Sequence, residues 1–257
     1  RTGPFAVGSP YRVVGTDARG RFYGRQAGLR ATPKGIVQDD SVPIDRWEPA
    51  TGKRDTAGFY RVARSGLNLG LEPPFSATTV FSVSHEGGIA IVYPADYHVE
   101  FISPSGGRTI GKPNPWNRVR LSPTHKERWR RTQLPTCPST RDRYGVIPLV
   151  ENGETKFAKW GRQREPKDHE WPTYLPPFLR SAASFSPDGM LWVERTADAG
   201  EPPFYDVIDG SGRVIRKVVL RAGSRLLGFG KGTIYLVRKD SDELEYVQVF
   251  STRRPTG

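Results

Sequence analysis

Four stretches of the chain repeat one arrangement of apolar and polar positions: an alternating run, a turn bearing Gly with Asp, His or Lys, and a second alternating run. They are residues 11–24 (YRVVGTDARGRFYG), 80–93 (VFSVSHEGGIAIVY), 183–194 (ASFSPDGMLWVE) and 226–237 (LLGFGKGTIYLV). Side chains on a strand alternate faces, and Gly permits the positive φ of a tight turn, so each stretch is predicted to form an antiparallel hairpin.

Three of the four are followed by a second hairpin built in the same way, over residues 42–59 turning at 49–52, residues 97–110 turning at 104–107, and residues 205–219 turning at 209–212. The last continues only into 244–250. Two hairpins in series make a four-stranded meander, the unit of a β-propeller blade. Such units recur at roughly 40 to 50 residues. The third and fourth begin about 43 apart, but the first and second lie near 70 apart and the second and third near 100. Those gaps require long excursions or a blade too degenerate to recognise. The expected fold is all-β and propeller-like, with four recognisable meanders, an incomplete six-bladed ring, one short helix and a long basic loop arm. A single domain over 1–257 is expected, with 113–178 as the helix-plus-loop arm.

The helix is predicted where Ser122 and Pro123 precede THKERWRRTQ, since Ser is a good N-cap and Pro suits the first helical position; it should end before Pro135. Beyond it, a strand pair is expected around 147–150 and 156–160, joined by Glu151, Asn152, Gly153 and Glu154.

The phrases SPDGMLWVER, YDVIDGSGRVIRKVVL and LLGFGKGTIYLVRKDSDELEYVQVF resemble the C-terminal blades of bacterial six-bladed β-propeller proteins of the NHL-like type. SVPIDRWEPATGKRDT and ADYHVEFISPSGGR look like middle blades of the same group, with SPTHKERW at the place of an interblade helix. The resemblance implies an exported, periplasmic protein, longer at its N-terminus in other members, with one or two blades missing here or supplied by a partner. An N-terminal Arg1 in place of Met agrees with removal of a leader.

Composition narrows the function. No run approaches the roughly 18 apolar residues a membrane helix needs, and the lone Cys137 permits neither an internal disulfide nor a thiolate metal cluster. The net charge is +12, and it is local: residues 118–167 carry 13 Lys or Arg against 5 Asp or Glu. An acidic partner is therefore expected.

The candidate contact residues begin at Trp116, Arg118 and Arg120, continue on the helix with Lys126, Arg128, Trp129, Arg130 and Arg131, and run on through Arg141, Arg143, Trp160, Arg162, Arg164 and Trp171. Arg and aromatic side chains dominate interface energetics, so this set predicts docking on an acidic protein, a membrane protein complex or anionic lipid head groups. The most specific expectation is a non-enzymatic extrinsic subunit that stabilises a photosynthetic reaction centre with its light-harvesting assembly. Solvation of the helix face is the plain alternative. Nucleic acid is a weaker one, because no zinc-finger, helix-turn-helix or RRM spacing is present. No cofactor and no metal are expected: His85, His98, His125 and His169 are scattered singly. A propeller-type metal-dependent hydrolase or lactonase would need converging carboxylates, whereas Asp17, Asp188 and Asp209 sit where turns use Asp for local hydrogen bonds.

Overall fold

The structure is a computed structural model that describes residues 12–25, 29–32, 35–62, 74–133, 146–151, 154–159, 166–179, 182–240, 242 and 244–251. The alternating runs form the strands they predict. The first sheet holds β1 (Arg12–Thr16), β2 (Phe22–Arg25), β5 (Ser41–Glu48) and β6 (Lys53–Arg61), in that spatial order and antiparallel throughout. Between β2 and β5 the chain detours through β3 (Leu29–Thr32) and β4 (Gly35–Gln38), a separate two-stranded pair that the apolar pattern does not predict. The second sheet is β7 (Val80–Val83), β8 (Ile89–Tyr93), β9 (His98–Ile102) and β10 (Arg108–Ile110), a plain meander.

Helix α1 (Pro123–Gln133) follows, then the pair β11 (Val146–Glu151) and β12 (Glu154–Lys159). The third sheet is β13 (Ala183–Phe185), β14 (Leu191–Glu194), β15 (Phe204–Ile208) and β16 (Val214–Val219). The fourth has three strands, β17 (Ser224–Gly230), β18 (Thr233–Lys239) and β19 (Glu245–Ser251). The fold is all-β and propeller-like: meander sheets stacked side by side, and not a closed barrel.

Period two explains the stacking. Along β8, Ile89, Ile91 and Tyr93 enter a core with Tyr23, Val42, Ile44 and Tyr60 of the first sheet. The intervening Ala90 and Val92 enter a second core with Leu191, Val193 and Ile208 of the third. The third sheet repeats the device, since Trp192, Tyr205 and Val207 turn the other way and meet Leu226, Phe229 and Ile234 of the fourth. Each central sheet thus buries both faces against its neighbours, and each large apolar side chain taken out of water contributes about 1.5–3 kcal/mol.

The same packing accounts for the uneven spacing of the units. Strand β7 lies beside β1 on one side and β13 on the other. The second and third sheets are therefore direct neighbours, and among the described residues the segment joining them places no blade between them. Its departure is pinned where Gly111 crosses Gly212: a Cβ on Gly111 would come within 2.8 Å of the Gly212 Cα. Buried Asn114 completes the seam, its amide donating to the carbonyls of Gly212 (2.9 Å) and Tyr97 (3.3 Å) while its oxygen accepts from the Val214 amide (3.0 Å).

Candidate docking surface

From Asn114 the chain runs to α1 along a short antiparallel crossing with residues 173–175. The Leu175 amide donates to the Val119 carbonyl (2.9 Å), the Leu121 amide to the Thr173 carbonyl (3.1 Å), and Arg120 bridges to Tyr174. Helix α1 starts where Ser122 and Pro123 predict, and Lys126 makes the first-turn bond back to the Ser122 carbonyl (3.2 Å). His125 of the first turn is buried, and its Nε2 reaches the Ala197 carbonyl (3.2 Å), which ties the helix to the loop after β14.

One turn further on, Trp129 meets Trp171 edge to face, ring centroids 5.4 Å apart and planes at 80°. Both indoles are buried, so they form a small core of their own between helix and loop. The cations dress this core. Lys126 Nζ lies 5.2 Å and the Arg130 guanidinium 5.7 Å from the centroid of Trp171, within cation–π range. Arg118 lies 5.9 Å over the ring of Tyr174, which is 45% exposed. Arg130 and Arg131 both approach Glu127, at 3.8 and 3.4 Å, while Arg120 and Arg128 are on the exposed surface.

The sequence-derived set thus divides into three. Lys126, Trp129, Arg130 and Trp171 are brought into one stack; Trp116, Arg118, Arg120, Arg128 and Arg131 flank it; Arg141, Arg143, Trp160, Arg162 and Arg164 lie outside the described residues. The local balance stays cationic, since residues 116–131 carry six Lys or Arg against the single Glu127.

Beside the stack opens a cleft of about 550 Å3, with Trp116, Trp171, Tyr174 and Phe75 in its walls and Pro94 and Pro176 among its prolines. Phe75 holds a φ of +55°, rare for a bulky side chain, and its ring packs 6.3 Å from Trp171 and 6.5 Å from His125. Phe75 and Tyr174 are absent from the sequence-derived set. A signal for the cleft was present in the recurring Pro-Pro-Phe triplets at 73–75, 176–178 and 202–204, of which the first two contribute Phe75 and Pro176. A second cavity, about 680 Å3, shares Trp116 with the first and is lined by charges of both signs, among them Arg195, Lys217, Asp198 and Asp206.

The turn carboxylates are occupied locally. Asp17 accepts from the amides of Arg19 (3.0 Å) and Arg21 (3.1 Å), from Arg21 Nε (2.7 Å) and from the Tyr23 hydroxyl (2.9 Å). Asp209 accepts from the Ser211 amide (2.9 Å), the Ser211 hydroxyl (2.5 Å) and the Arg213 amide (3.2 Å), and Asp188 accepts from the Ser186 hydroxyl.

Fold and surface define a propeller-like β protein with a cationic, aromatic face built on one helix and its return loop. No family model matches the chain, and no curated protein does. Among solved structures it is similar to TolB from Acinetobacter baumannii, at 8% identity and a TM-score of 0.30, with 95% of this chain and 52% of that one covered. The chain thus spans about half the length of that structure. It is also similar to a streptogramin B lyase, at 12% identity and a TM-score of 0.34, with 99% and 72% covered. A catalytically inactive virginiamycin B lyase from Staphylococcus aureus with quinupristin overlays at 12% identity and a TM-score of 0.25, with 99% and 88% covered. At these scores the activities of those proteins stay with them.

Proposed function

We propose that this protein is a non-enzymatic binding module whose stacked sheets hold a cationic face, formed by residues 116–131 with the return segment 171–175, against an acidic macromolecular surface. The observation that carries this reading is the excess of six cations over one carboxylate along 116–131, four of the six on a helix whose aromatic side is fixed by the Trp129–Trp171 contact and two, Arg118 and Arg120, on the segment leading into it. A fixed array of like charges steers an oppositely charged partner and sets its register. The surface of a membrane complex, met from outside the cytoplasm, is the setting such a face suits. No residue of this chain selects a photosynthetic assembly over another acidic surface, so the partner is defined here by its charge.

Binding to immobilised poly-L-glutamate tests the reading. We expect binding that weakens steeply between low and physiological salt, and at least tenfold weaker binding by a triple charge reversal of Arg118, Arg120 and Arg128 to Glu. Binding unaffected by the reversal overturns the assignment of the face. A stronger response to duplex DNA than to poly-L-glutamate overturns it in favour of a nucleic-acid partner.

A further inference from the structure

The cleft beside the docking face has a lining that restricts what it can hold. Aromatic rings and prolines make up most of its walls, and Leu175 and Pro176 in the lining are buried. Proline has no N–H to offer. The amide of Leu175 is already committed to the Val119 carbonyl (2.9 Å), and Tyr174 is bridged to Arg120. The cleft therefore offers no open strand edge on that side for an incoming strand to pair with. What its lining does offer is ring surface plus residues that carry side-chain donors, among them Trp116, Tyr174 and Arg118.

A polyproline II segment needs that combination. It makes no hydrogen bonds of its own and presents its carbonyls outward, so a binding site must supply donors without supplying a sheet edge. Its proline rings pack between aromatic side chains, and its conformation is largely set before binding. Arg118 adds a positive charge to the lining, and Glu170, the one carboxylate there, is engaged in its own turn with the Lys167 amide (2.7 Å). The volume of about 550 Å3 falls within the range of roughly 300–1,000 Å3 usual for a specific pocket.

We infer that the cleft bounded by Trp116, Tyr174 and Phe75 binds an extended, proline-containing acidic segment of a partner protein. This rests on the docking reading above and adds the chemistry of the segment that the cationic face would seat.

The test uses the full chain and three fluorescein-labelled twelve-residue peptides read by anisotropy: one alternating Pro with Asp or Glu, one with every Pro replaced by Ala, and one keeping Pro but with Gln for each acid. We expect the acidic proline peptide to bind at least tenfold tighter than either of the others. Ala77→Leu, which puts a bulkier neutral side chain into the lining at an exposed position outside the cationic set, should weaken it at least tenfold while leaving poly-L-glutamate binding unchanged. Equal binding of the acidic alanine peptide overturns the cleft assignment and leaves the docking face intact. Loss of poly-L-glutamate binding together with peptide binding in Ala77→Leu overturns it as well, since the cleft would then have no role separate from the face. Far-UV circular dichroism confirms that the variant is folded.

Discussion

Ser122 and His125 cap helix α1 reciprocally. The Ser122 hydroxyl lies 2.9 Å from His125 Nδ1 and 3.4 Å from the His125 amide, while the Ser122 amide donates to the same Nδ1 at 3.2 Å. A backbone amide can only donate, so Nδ1 accepts and Nε2 carries the proton that reaches the Ala197 carbonyl. This is a capping box with an imidazole in the place usually held by Glu or Gln.

That relationship makes a paired prediction. Ser122→Ala removes the cap and should cost about 1 kcal/mol in urea denaturation. His125→Gln keeps an acceptor of similar reach for the Ser122 amide and should cost less than His125→Ala, which loses both the cap and the link to Ala197. Equal losses for the two histidine variants would show that imidazole packing, and not the capping bond, is what matters at this position.

Asp17 governs part of the acid stability. Burial pushes its carboxyl up, but the hydrogen bonds from the Arg21 side chain and amide and from the Tyr23 hydroxyl outweigh that and hold it below the usual carboxylate range. A carboxyl depressed in the folded state adds stability above its unfolded value of about 3.9, and that contribution is lost as pH falls through the folded value. Asp17→Asn should therefore be less stable than the parent at pH 7, with the two stability curves converging as pH falls through the depressed folded-state value. Parallel curves across this range would show that Asp17 is not the linked group.

The Gly111–Gly212 crossing should tolerate no side chain. Gly212 has a φ of +84°, and a Cβ there would approach the Gly111 Cα to 2.7 Å, backbone against backbone. Gly212→Ala adds positive-φ strain to that collision and should cost more than about 1 kcal/mol, whereas Gly189→Ala, also at positive φ but with open space around it, should cost only the strain. Equal costs, measured by urea midpoint, would mean that the close approach carries no weight.

Much of this architecture is legible in the sequence because its signals are local. Each hairpin with its Gly turn appears where alternation places it, and Ser122–Pro123 marks the helix start. The β3–β4 pair escapes the pattern because its strands, LRAT and GIVQ, have only four residues each, too short for their alternation to stand out from the segment around them. The neighbourhood of β7 and β13 is not legible either: it depends on two faces of β8 finding different cores, a relation between residues about 100 positions apart. The candidate face divides along the same line. Its charge is written in composition, but the engagement of Trp129 with Trp171 exists only once helix and loop meet. Phe75 and Tyr174 join the cleft from segments that carry no charge pattern to mark them.

The strongest single dependence on a buried charge should lie at Asp206 of β15. Its carboxylate accepts from the Tyr97 hydroxyl at 2.7 Å and pairs with Arg195, whose guanidinium sits 4.0 Å over the Tyr97 ring and donates through Nε to the Pro177 carbonyl at 2.9 Å. Burial pushes the Tyr97 phenol well above its ordinary range, so it stays protonated as the donor this arrangement needs. Tyr97 itself holds a φ of +52°, a strained state for an aromatic residue that the surrounding contacts must maintain. Removing the carboxylate by Asp206→Ala leaves Arg195 buried without its counter-charge, which should cost about 3–5 kcal/mol. Tyr97→Phe removes one hydrogen bond and keeps the ring beneath the guanidinium, so a loss near ~1 kcal/mol is expected. Because Arg195 also holds Pro177, which lines the aromatic cleft, Asp206→Ala should weaken the acidic proline peptide even under conditions where the variant is folded. A loss below about 1 kcal/mol for Asp206→Ala would mean that the guanidinium finds solvent or another acceptor, and that the second and third sheets do not rely on this pair.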